Sequence, residues 1–203
     1  MKKRIFDVRL LIGLVFAHLL LFFSFHDKSV FWYLFSGSML LLITFAMFQE
    51  DVDDEAPFFT YISLGALTGL ILYGAFWIVF KGIITFHLPF DRGIHRLYRW
   101  FAPSLFWEYL ALMLVAAPGE EFFWRGFVQK KLLKYFKPMV SIIVGALLYA
   151  SVQIYSGEFI LVLTTFLCGL VWGALYYWKR SMPLVIVSHV IFDIMLFIFL
   201  PLK

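Results

Sequence analysis

Residues 159–178 decide the fold, because they read FILVLTTFLCGLVWGALYYW and contain no Asp, Glu, Lys or Arg. A helix needs about 20 predominantly apolar residues to cross the hydrocarbon layer of a membrane. That layer offers no water to the backbone amides, so a spanning segment satisfies them internally by forming a helix. The stretch therefore predicts a transmembrane helix.

Further apolar runs of comparable length lie on both sides of this stretch. Together the runs cover residues 9–25, 30–48, 57–80, 105–133, 138–156, 159–178 and 183–202. Of the 203 residues, 63% are hydrophobic, and the mean hydropathy is +0.91. This composition excludes a water-soluble globular domain and leaves no room for a separate one. We expect an all-α, polytopic transmembrane helix bundle of about seven spans that forms a single integral membrane domain over residues 1–203.

The basic residues predict how the bundle is oriented. If the amino terminus is cytoplasmic, more Lys and Arg fall inside than outside, as membrane proteins generally require. The inner set is Lys2, Lys3, Arg4, Arg9, Lys130, Lys131, Lys134, Lys137, Lys179 and Arg180, and the outer set is Lys28, Lys81, Arg92, Arg96, Arg99 and Lys203. Because several arginines lie on the disfavoured side, we expect residues 87–100 to form an extra interfacial or re-entrant helix. An additional crossing there would invert the first three spans.

Two charged clusters lie between the apolar runs. The acidic stretch at residues 50–55 is expected to be a solvated turn, with a cation site as the alternative. Lys130, Lys131, Lys134 and Lys137 are expected to bind anionic lipid headgroups. The chain has 17 basic and 13 acidic side chains. We expect the excess of basic side chains to contact the lipid bilayer, and we expect no nucleic acid as partner.

Ionisable residues inside apolar runs indicate a functional site, because a charge at membrane depth costs roughly 2.5 to 3.5 kcal/mol on insertion scales. Glu121 and Arg125 stand four residues apart, so they share one helix face and can form an ion pair. Glu120 is rotated by about 100° from Glu121 and has no partner in its own helix. A carboxylate of this kind suits a general base that acts on water. The alternative is that the three residues form a structural polar cluster.

Spacing also predicts which side chains meet. If the chain reverses near Pro138, Gln153 lies at the same depth as Glu120 and can hydrogen-bond with it. His189 and Asp193 again stand four residues apart on one face. A straight-helix count leaves His189 away from the level of Gln153, so the site closes only if helices tilt or the connection after Gln153 dips into the bundle.

Three motifs follow one another in the carboxy-terminal half of the chain. They are Glu120-Glu121-x-x-x-Arg125, then Tyr149-x-x-x-Gln153, then His189-x-x-x-Asp193. In this order, over residues 105–202, they resemble the CPBP family of intramembrane proteases. That family comprises CAAX prenyl endopeptidases and bacteriocin-processing or self-immunity proteins of the Abi type.

The resemblance implies roles for the matching residues. Glu120 would activate a water, Glu121 and Arg125 would support it and hold the helix, and His189 with Asp193 would belong to the same cavity. In the family the middle motif carries a histidine where this chain has Gln153. Glutamine lacks the imidazole nitrogen that a metal usually takes, so zinc, which the resemblance allows as a cofactor, is disfavoured.

Two functional hypotheses remain open from the sequence. The first is an intramembrane endopeptidase of the CAAX type, in which a glutamate-activated water hydrolyses a peptide or a lipid-modified protein. The second is a catalytically silent scaffold, regulator or bacteriocin self-immunity protein that binds another membrane protein. A solute transporter is disfavoured, because the two halves lack matching interrupted helices. The short loops favour a multi-pass protein of the bacterial cytoplasmic membrane over one of the endoplasmic reticulum.

Overall fold

The computed structural model describes residues 7–202, which fold almost wholly into α-helices. The predicted charges Lys2, Lys3, Arg4 and Lys203 lie outside the described residues. The helices are α1 (Val8–His26), α2 (Phe31–Gln49), α3 (Phe58–Thr85), α4 (Asp91–Phe101), α5 (Phe106–Leu133), α6 (Pro138–Val152), α7 (Phe159–Lys179) and α8 (Met182–Ile194, continued by the turn Met195–Phe199). Within this range six helices are long and apolar enough to cross a membrane, and a seventh crossing is counted if α4 and α5, which meet at 105°, form one span. The predicted all-α transmembrane bundle is confirmed.

The connections between helices gather at two ends of the bundle. At the end that we call the loop end, Asp53 in the α2–α3 connection binds Lys130 of α5 at 2.8 Å, and Asp54 pairs with Ser181 before α8. At the other end, which we call the α4 end, Arg96 of α4 binds Glu158 before α7 at 2.7 Å. Because residues 50–55 lie at the same end as the carboxyl end of α5, α4 adds no crossing. The first three spans are therefore not inverted relative to the rest.

Two residues of the acidic stretch at the loop end, Glu50 and Asp53, bind lysines of α5. Glu50 accepts hydrogen bonds from Lys134 at 2.6 Å and forms an ion pair with Lys131 at 2.8 Å. Asp53 accepts hydrogen bonds from Lys130 and from Tyr176 at 2.6 Å. Asp51, Asp54 and Glu55 are exposed, as expected of a solvated turn. Three of the four lysines assigned to lipid headgroups bind Glu50 or Asp53 of this loop.

Helix α5 is irregular on both sides of Pro118 and Gly119. Wide π-type turns occupy Leu112–Ala116 and Phe122–Gln129, and a regular turn at Ala117–Glu121 lies between them. Proline lacks the N–H that a regular helix uses, and such wide turns often accompany functional sites. A Cβ on Gly119 would lie 2.8 Å from Cβ of Met39, so the backbone of α5 approaches α2 closely at this level.

Glycines bring two further helix pairs together, as small residues do in lipid. Gly69 of α3 packs against α8, where an added Cβ would lie 2.5 Å from the carbonyl oxygen of Ser188. Gly169 of α7 packs against α6, where an added Cβ would lie 2.9 Å from Cβ of Ala146. These contacts hold α8, which carries His189, and α6, which leads to Gln153, against the bundle.

Candidate active site

Glu120 lies on α5 between two other elements of the bundle. Its Oε2 atom accepts a hydrogen bond of 2.8 Å from the hydroxyl of Tyr149. Its Oε1 atom lies 3.5 Å from the amide nitrogen of Gln153, which donates toward it. The depth that the hairpin spacing predicts for Gln153 therefore agrees with the structure.

Glu121 and Arg125 form the predicted pair on the next face of α5. Glu121 Oε1 accepts from Arg125 at 3.2 Å and from His189 Nδ1 at 2.8 Å. The Arg125 guanidinium lies 4.8 Å from the ring centre of Tyr149 and 5.5 Å from that of Trp172, which offers cation–π contacts. Glu121 and Arg125 are both buried, so the pair links α5 to α8 inside the bundle.

The ring of His189 is fixed by stacking and by one hydrogen bond. It lies 3.8 Å from the ring of Trp172 at an interplanar angle of 23°. Because the carboxylate of Glu121 accepts a hydrogen bond from Nδ1, that nitrogen carries a proton and Nε2 faces the other carboxylates. Nε2 lies 3.7 Å from Glu120 Oε2 and 3.6 Å from Asp193 Oδ2. These separations exceed a direct hydrogen bond and are those of close electrostatic contacts.

Glu120 joins the two parts of the site that a straight-helix count separates. One of its oxygens faces Gln153 and the other faces His189, so the two need not lie at the same depth. In addition, α6 ends at Val152, and Gln153 begins a tight 3-10 turn, Gln153–Ser156. Gln153 and Ser156 are buried while Ile154 and Tyr155 are exposed, so one face of this turn lies against the bundle. The structure thus brings together all six predicted site residues, three of them on α5, one after α6 and two on α8.

A central cavity of about 150 Å³ reaches this cluster. Its polar lining includes Glu120, Gln153, His189 and Asp193. Its apolar lining continues through aromatic rings to the α4 end, namely Phe25, Phe31, Trp32, Phe35 and Phe101. The cavity therefore extends from the polar cluster away from the loop end.

A second, apolar cavity of about 190 Å³ adjoins the central cavity. The two share Phe101, Leu161, Thr164, Leu196 and Phe197, and the rest of the second is lined mainly by residues of α3, α4 and α7. Its lining is almost entirely hydrocarbon. This cavity suits an aliphatic or isoprenoid chain next to the polar cluster.

Sequence reasoning gave no role to several side chains that shape the site. The sequence indicated Tyr149 only as the aromatic residue of the middle motif, four positions before Gln153. Trp172 and Ser188 gave no signal, although Trp172 stacks on His189 and donates to the hydroxyl of Ser188 at 3.2 Å. Among so many aromatic residues in apolar helices, one that supports a histidine has no distinguishing pattern.

The donor set does not fit a zinc ion. The described residues contain no group of three or more His, Cys, Asp or Glu side chains placed to hold a metal. The site offers one imidazole, from His189, and the amide of Gln153. Zinc sites usually combine several nitrogen or sulfur donors.

The buried side chains of Glu120, His189 and Asp193 face one cavity of the helical bundle. This arrangement defines a class of membrane protein whose polar site lies inside its spans. Residues 102–195 match the family model described as type II CAAX prenyl endopeptidase Rce1-like. This match confirms the resemblance, and the matched segment contains every predicted site residue. The family supports a multi-pass protein that acts on peptides within a lipid bilayer. Comparison with curated proteins and with solved structures gives no match.

Proposed function

We propose that the chain is an intramembrane endopeptidase in which Glu120 activates the water that attacks a peptide bond. The observation that carries this proposal is the contact of Glu120 with groups from two other parts of the bundle at one cavity. Tyr149 and Gln153 hold its carboxylate from one side, and His189 approaches from the other. A fixed carboxylate in a cavity is the arrangement that general-base chemistry requires.

The proposed reaction begins when Glu120 takes a proton from water as the water oxygen bonds to the scissile carbonyl carbon. The carbonyl oxygen becomes an oxyanion in the tetrahedral intermediate. Glu120 then passes the proton to the departing nitrogen as the carbon–nitrogen bond breaks. Atoms and charges balance, and the products are a carboxylic acid and an amine.

The oxyanion needs hydrogen-bond donors that are already in position. His189 can supply one from Nε2 when its ring is protonated, and the stacked Trp172 fixes the direction of that nitrogen. The amide of Gln153 is the second donor, in the position where the family has a histidine. Asp193 orients Nε2 from the other side, and the Glu121–Arg125 pair positions His189 through Nδ1.

The adjoining apolar cavity favours a lipid-modified peptide as the substrate. Its lining would bury an apolar chain attached to the peptide while the peptide bond lies near Glu120. We place this activity in the cytoplasmic membrane of a bacterium.

The test is cleavage by the full-length protein in liposomes. The substrate is a peptide that ends in a prenylated cysteine followed by three residues, and the same peptide without the prenyl group is compared. Glu120→Gln preserves shape but removes the base, so the rate should fall by at least about 10²-fold, the usual contribution of general-base catalysis. Glu55→Gln is the control, because the Glu55 carboxylate is at the loop end and its side chain is 63% exposed. It should leave the rate unchanged.

A single turnover in ¹⁸O-labelled water separates general-base from covalent catalysis. Direct attack by water places the label in the new carboxylate during the first turnover. If Glu120 itself attacked, a mixed anhydride would form, and its hydrolysis at the Glu120 carbonyl carbon would place the label in Glu120 and leave unlabelled oxygen in the first product. If folded wild-type protein and Glu120→Gln are equally inactive on peptides and equally effective in cells, the scaffold hypothesis replaces the enzyme.

A further inference from the structure

A polar pocket of about 380 Å³ lies at the α4 end, where α1 and α4 end and α2 and α5 begin. Its lining includes two cations, Lys28 from the connection between α1 and α2 and Arg99 from α4. We call it the α4-end pocket. Because helix ends gather there, the pocket lies at the edge of the hydrocarbon layer, at the level of the lipid headgroups.

The side chains that line the pocket carry a net positive charge. Neither cation has a carboxylate oxygen within 4.0 Å among the described residues, and the Lys28 ammonium lies 4.2 Å from the ring centre of Trp100. One carboxylate, Glu108, also lines the pocket, and its Oε2 accepts hydrogen bonds from the backbone N–H groups of Ser104 at 2.6 Å and Leu105 at 2.9 Å. That carboxylate is satisfied at the start of α5, so both cations remain available to an anion.

Two further carboxylates near the pocket are bound within the protein. Oδ1 of Asp27 accepts hydrogen bonds from the backbone N–H of Ser29 at 2.9 Å and from its hydroxyl at 2.7 Å. Glu158 is bound by Arg96 through two nitrogens at 2.7 and 2.8 Å. Neither carboxylate lines the pocket, so the excess of positive charge remains.

Aromatic rings surround the pocket as they do at membrane interfaces. The side chains of Tyr33 and Trp100 line it and are exposed, and Trp107 packs on Tyr33 with the ring centres 4.7 Å apart. Trp and Tyr are enriched where hydrocarbon meets the headgroups. The two cations therefore lie at the depth of a lipid phosphate.

The α4-end pocket adjoins the apolar cavity of about 190 Å³, because Tyr98 and Ala102 line both. Val79 of α3 and Leu167 of α7 also line the apolar cavity and are 61% and 42% exposed. The wall of this cavity is thus in part the lipid-facing surface of the bundle, and an apolar chain can enter it from the bilayer. A cationic pocket and an apolar cavity lie side by side, as the phosphate and an acyl chain of a phospholipid do.

We propose that the α4-end pocket binds the phosphate of an anionic glycerophospholipid, with Lys28 and Arg99 as its cationic partners and one acyl chain in the adjoining apolar cavity. The inference goes beyond the proposed function, because it assigns a lipid that is not cleaved to a site outside the catalytic cluster. One consequence rests on the proposed function: this lipid competes with the apolar chain of a substrate for the same cavity.

Native mass spectrometry of the full-length protein in detergent micelles tests the inference by measuring which lipids remain bound. The probes are phosphatidylglycerol, which is anionic, and phosphatidylcholine with the same acyl chains, which has a phosphate but no net charge. Each cation near an anionic lipid contributes about fivefold in affinity. The first phosphatidylglycerol should therefore bind at least about tenfold more tightly than phosphatidylcholine. Lys28→Gln and Arg99→Gln should each remove most of this preference.

Arg92→Gln is the matched control, because Arg92 is an exposed arginine of α4 that does not line the pocket. It should preserve the full preference for phosphatidylglycerol, and so should Lys28→Arg, which keeps the charge. Equal binding of both lipids by the wild type, or an equal loss of preference in Arg92→Gln, would overturn the inference. If soluble glycerol 3-phosphate displaces phosphatidylglycerol at a similar concentration, the pocket takes a free phosphate and the lipid assignment is wrong.

The binding test contains no peptide, so its result does not depend on cleavage. A preference for phosphatidylglycerol in a chain that cleaves no peptide would support the pocket and refute only the proposed function. In a chain that cleaves the prenylated peptide, added phosphatidylglycerol should raise KM in the wild type more than in Arg99→Gln and leave kcat unchanged. An equal rise of KM in both, or none in either, would show that the acyl chain does not occupy the apolar cavity.

Discussion

Arg125 is a charge in the interior of the bundle, where it is only 2% exposed and lies against the rings of Tyr149 and Trp172. Among the residues that the structure describes, it forms an ion pair with Glu121 alone. Arg125→Met would leave Glu121 as a buried carboxylate without its cation. We therefore expect the free energy of unfolding to fall by about 3–5 kcal/mol, as breaking one side of a buried pair generally does.

A double-mutant cycle separates the pair from the packing of the arginine side chain. Unfolding is followed in mixed micelles for Arg125→Met, Glu121→Gln and the double variant. The double variant should be more stable than Arg125→Met alone, because no unpaired carboxylate remains. Strictly additive losses would show that the ion pair has no energetic role.

Tyr149 donates the shortest of the hydrogen bonds that reach Glu120. Tyr149→Phe keeps the ring beside Arg125 and removes only this donor. Since a hydrogen bond to a charged group contributes about 1.5–3 kcal/mol, peptide cleavage should slow by about 10- to 100-fold. The rate is measured with the prenylated peptide in liposomes.

Tyr155→Phe is the matched control for this substitution. The hydroxyl of Tyr155 is bonded to His18 on α1, away from the site. Its loss should leave the cleavage rate unchanged. An equal loss of rate in both variants would mean that the hydroxyl groups act through stability and not through Glu120.

At the scale of residues, the sequence predicted contacts that depend on helical spacing. The four-residue spacing predicted that Glu121 and Arg125 share one helix face and that His189 and Asp193 share another. The chain reversal near Pro138 predicted the depth of Gln153. Spacing did not give the contact between His189 and Glu121, because that contact depends on how α8 sits against α5. Nor did it give Trp172, whose stacking on His189 follows from packing between helices.

At the scale of elements, α3 and α8 are in contact through glycine. A Cβ at position 69 would lie 2.5 Å from the backbone carbonyl of Ser188, which cannot move aside as a flexible side chain can. Gly69→Ala should therefore force α3 and α8 apart, lower the melting temperature and displace His189. The melting temperature in micelles and the cleavage rate measure the two effects.

Gly74 lies on the same helix and provides the control. An added Cβ there meets nothing within 4 Å. Gly74→Ala should leave stability unchanged or raise it slightly, since alanine favours a helix by up to about 1 kcal/mol over glycine. If Gly74→Ala were as damaging as Gly69→Ala, close packing of α3 on α8 would not be the cause.

Hydropathy located the spans because their length is set by the membrane. The run predicted at residues 159–178 corresponds to Phe159–Lys179, and that at 138–156 to Pro138–Ser156. The two π-type turns of α5 could not be predicted in the same way. Pro118 and Gly119 indicate a local disturbance, but the neighbouring helices determine how the backbone accommodates it.

At the scale of the whole molecule, charge pairs at the loop end join the α2–α3 connection to α5 and to Arg180, which lies between α7 and α8. Burial raises the pKa of Glu50, but hydrogen bonds and charges from Lys131 and Lys134 outweigh it, so the net pKa lies below its ordinary value. A carboxylate with a lowered folded-state pKa stabilises the protein above its unfolded pKa, and this stabilisation is lost as the pH falls through the folded value.

We therefore expect the melting temperature to fall as the pH decreases below about 4.3, the ordinary pKa of a glutamate in an unfolded chain. Glu50→Gln should flatten this part of the curve and lower the melting temperature at neutral pH. Glu55→Gln, with an exposed side chain, should keep the wild-type curve. Identical pH curves for wild type and Glu50→Gln would contradict a stabilising role of the pair.

The pairing of these lysines could not be read from composition. A sequence shows that acidic residues 50–55 and Lys130, Lys131 and Lys134 exist, but not that α2 and α5 end side by side. A count of charges does not distinguish a lysine that contacts lipid from one that forms an ion pair within the protein. Only the packing of the helices shows that most of this group is bound within the protein.

The orientation of the molecule decides from which side a substrate reaches Glu120. Topology is set during insertion, when Lys and Arg are counted and Asp and Glu contribute little. The later pairing of lysines at the loop end therefore does not weaken the expectation that this end is cytoplasmic. The central cavity would then open toward the outer leaflet, since its lining extends to Phe31 and Phe101 at the α4 end.

Single cysteines test this orientation, because the natural Cys168 is buried and should react slowly. Asp51 and His95 are exposed at the loop end and on α4. With a membrane-impermeant maleimide on intact bacterial cells, His95→Cys should be labelled, whereas Asp51→Cys should require permeabilised cells. The opposite pattern would place the loop end outside and open the cavity to the cytoplasm, so that peptides reach Glu120 from the side on which they are made.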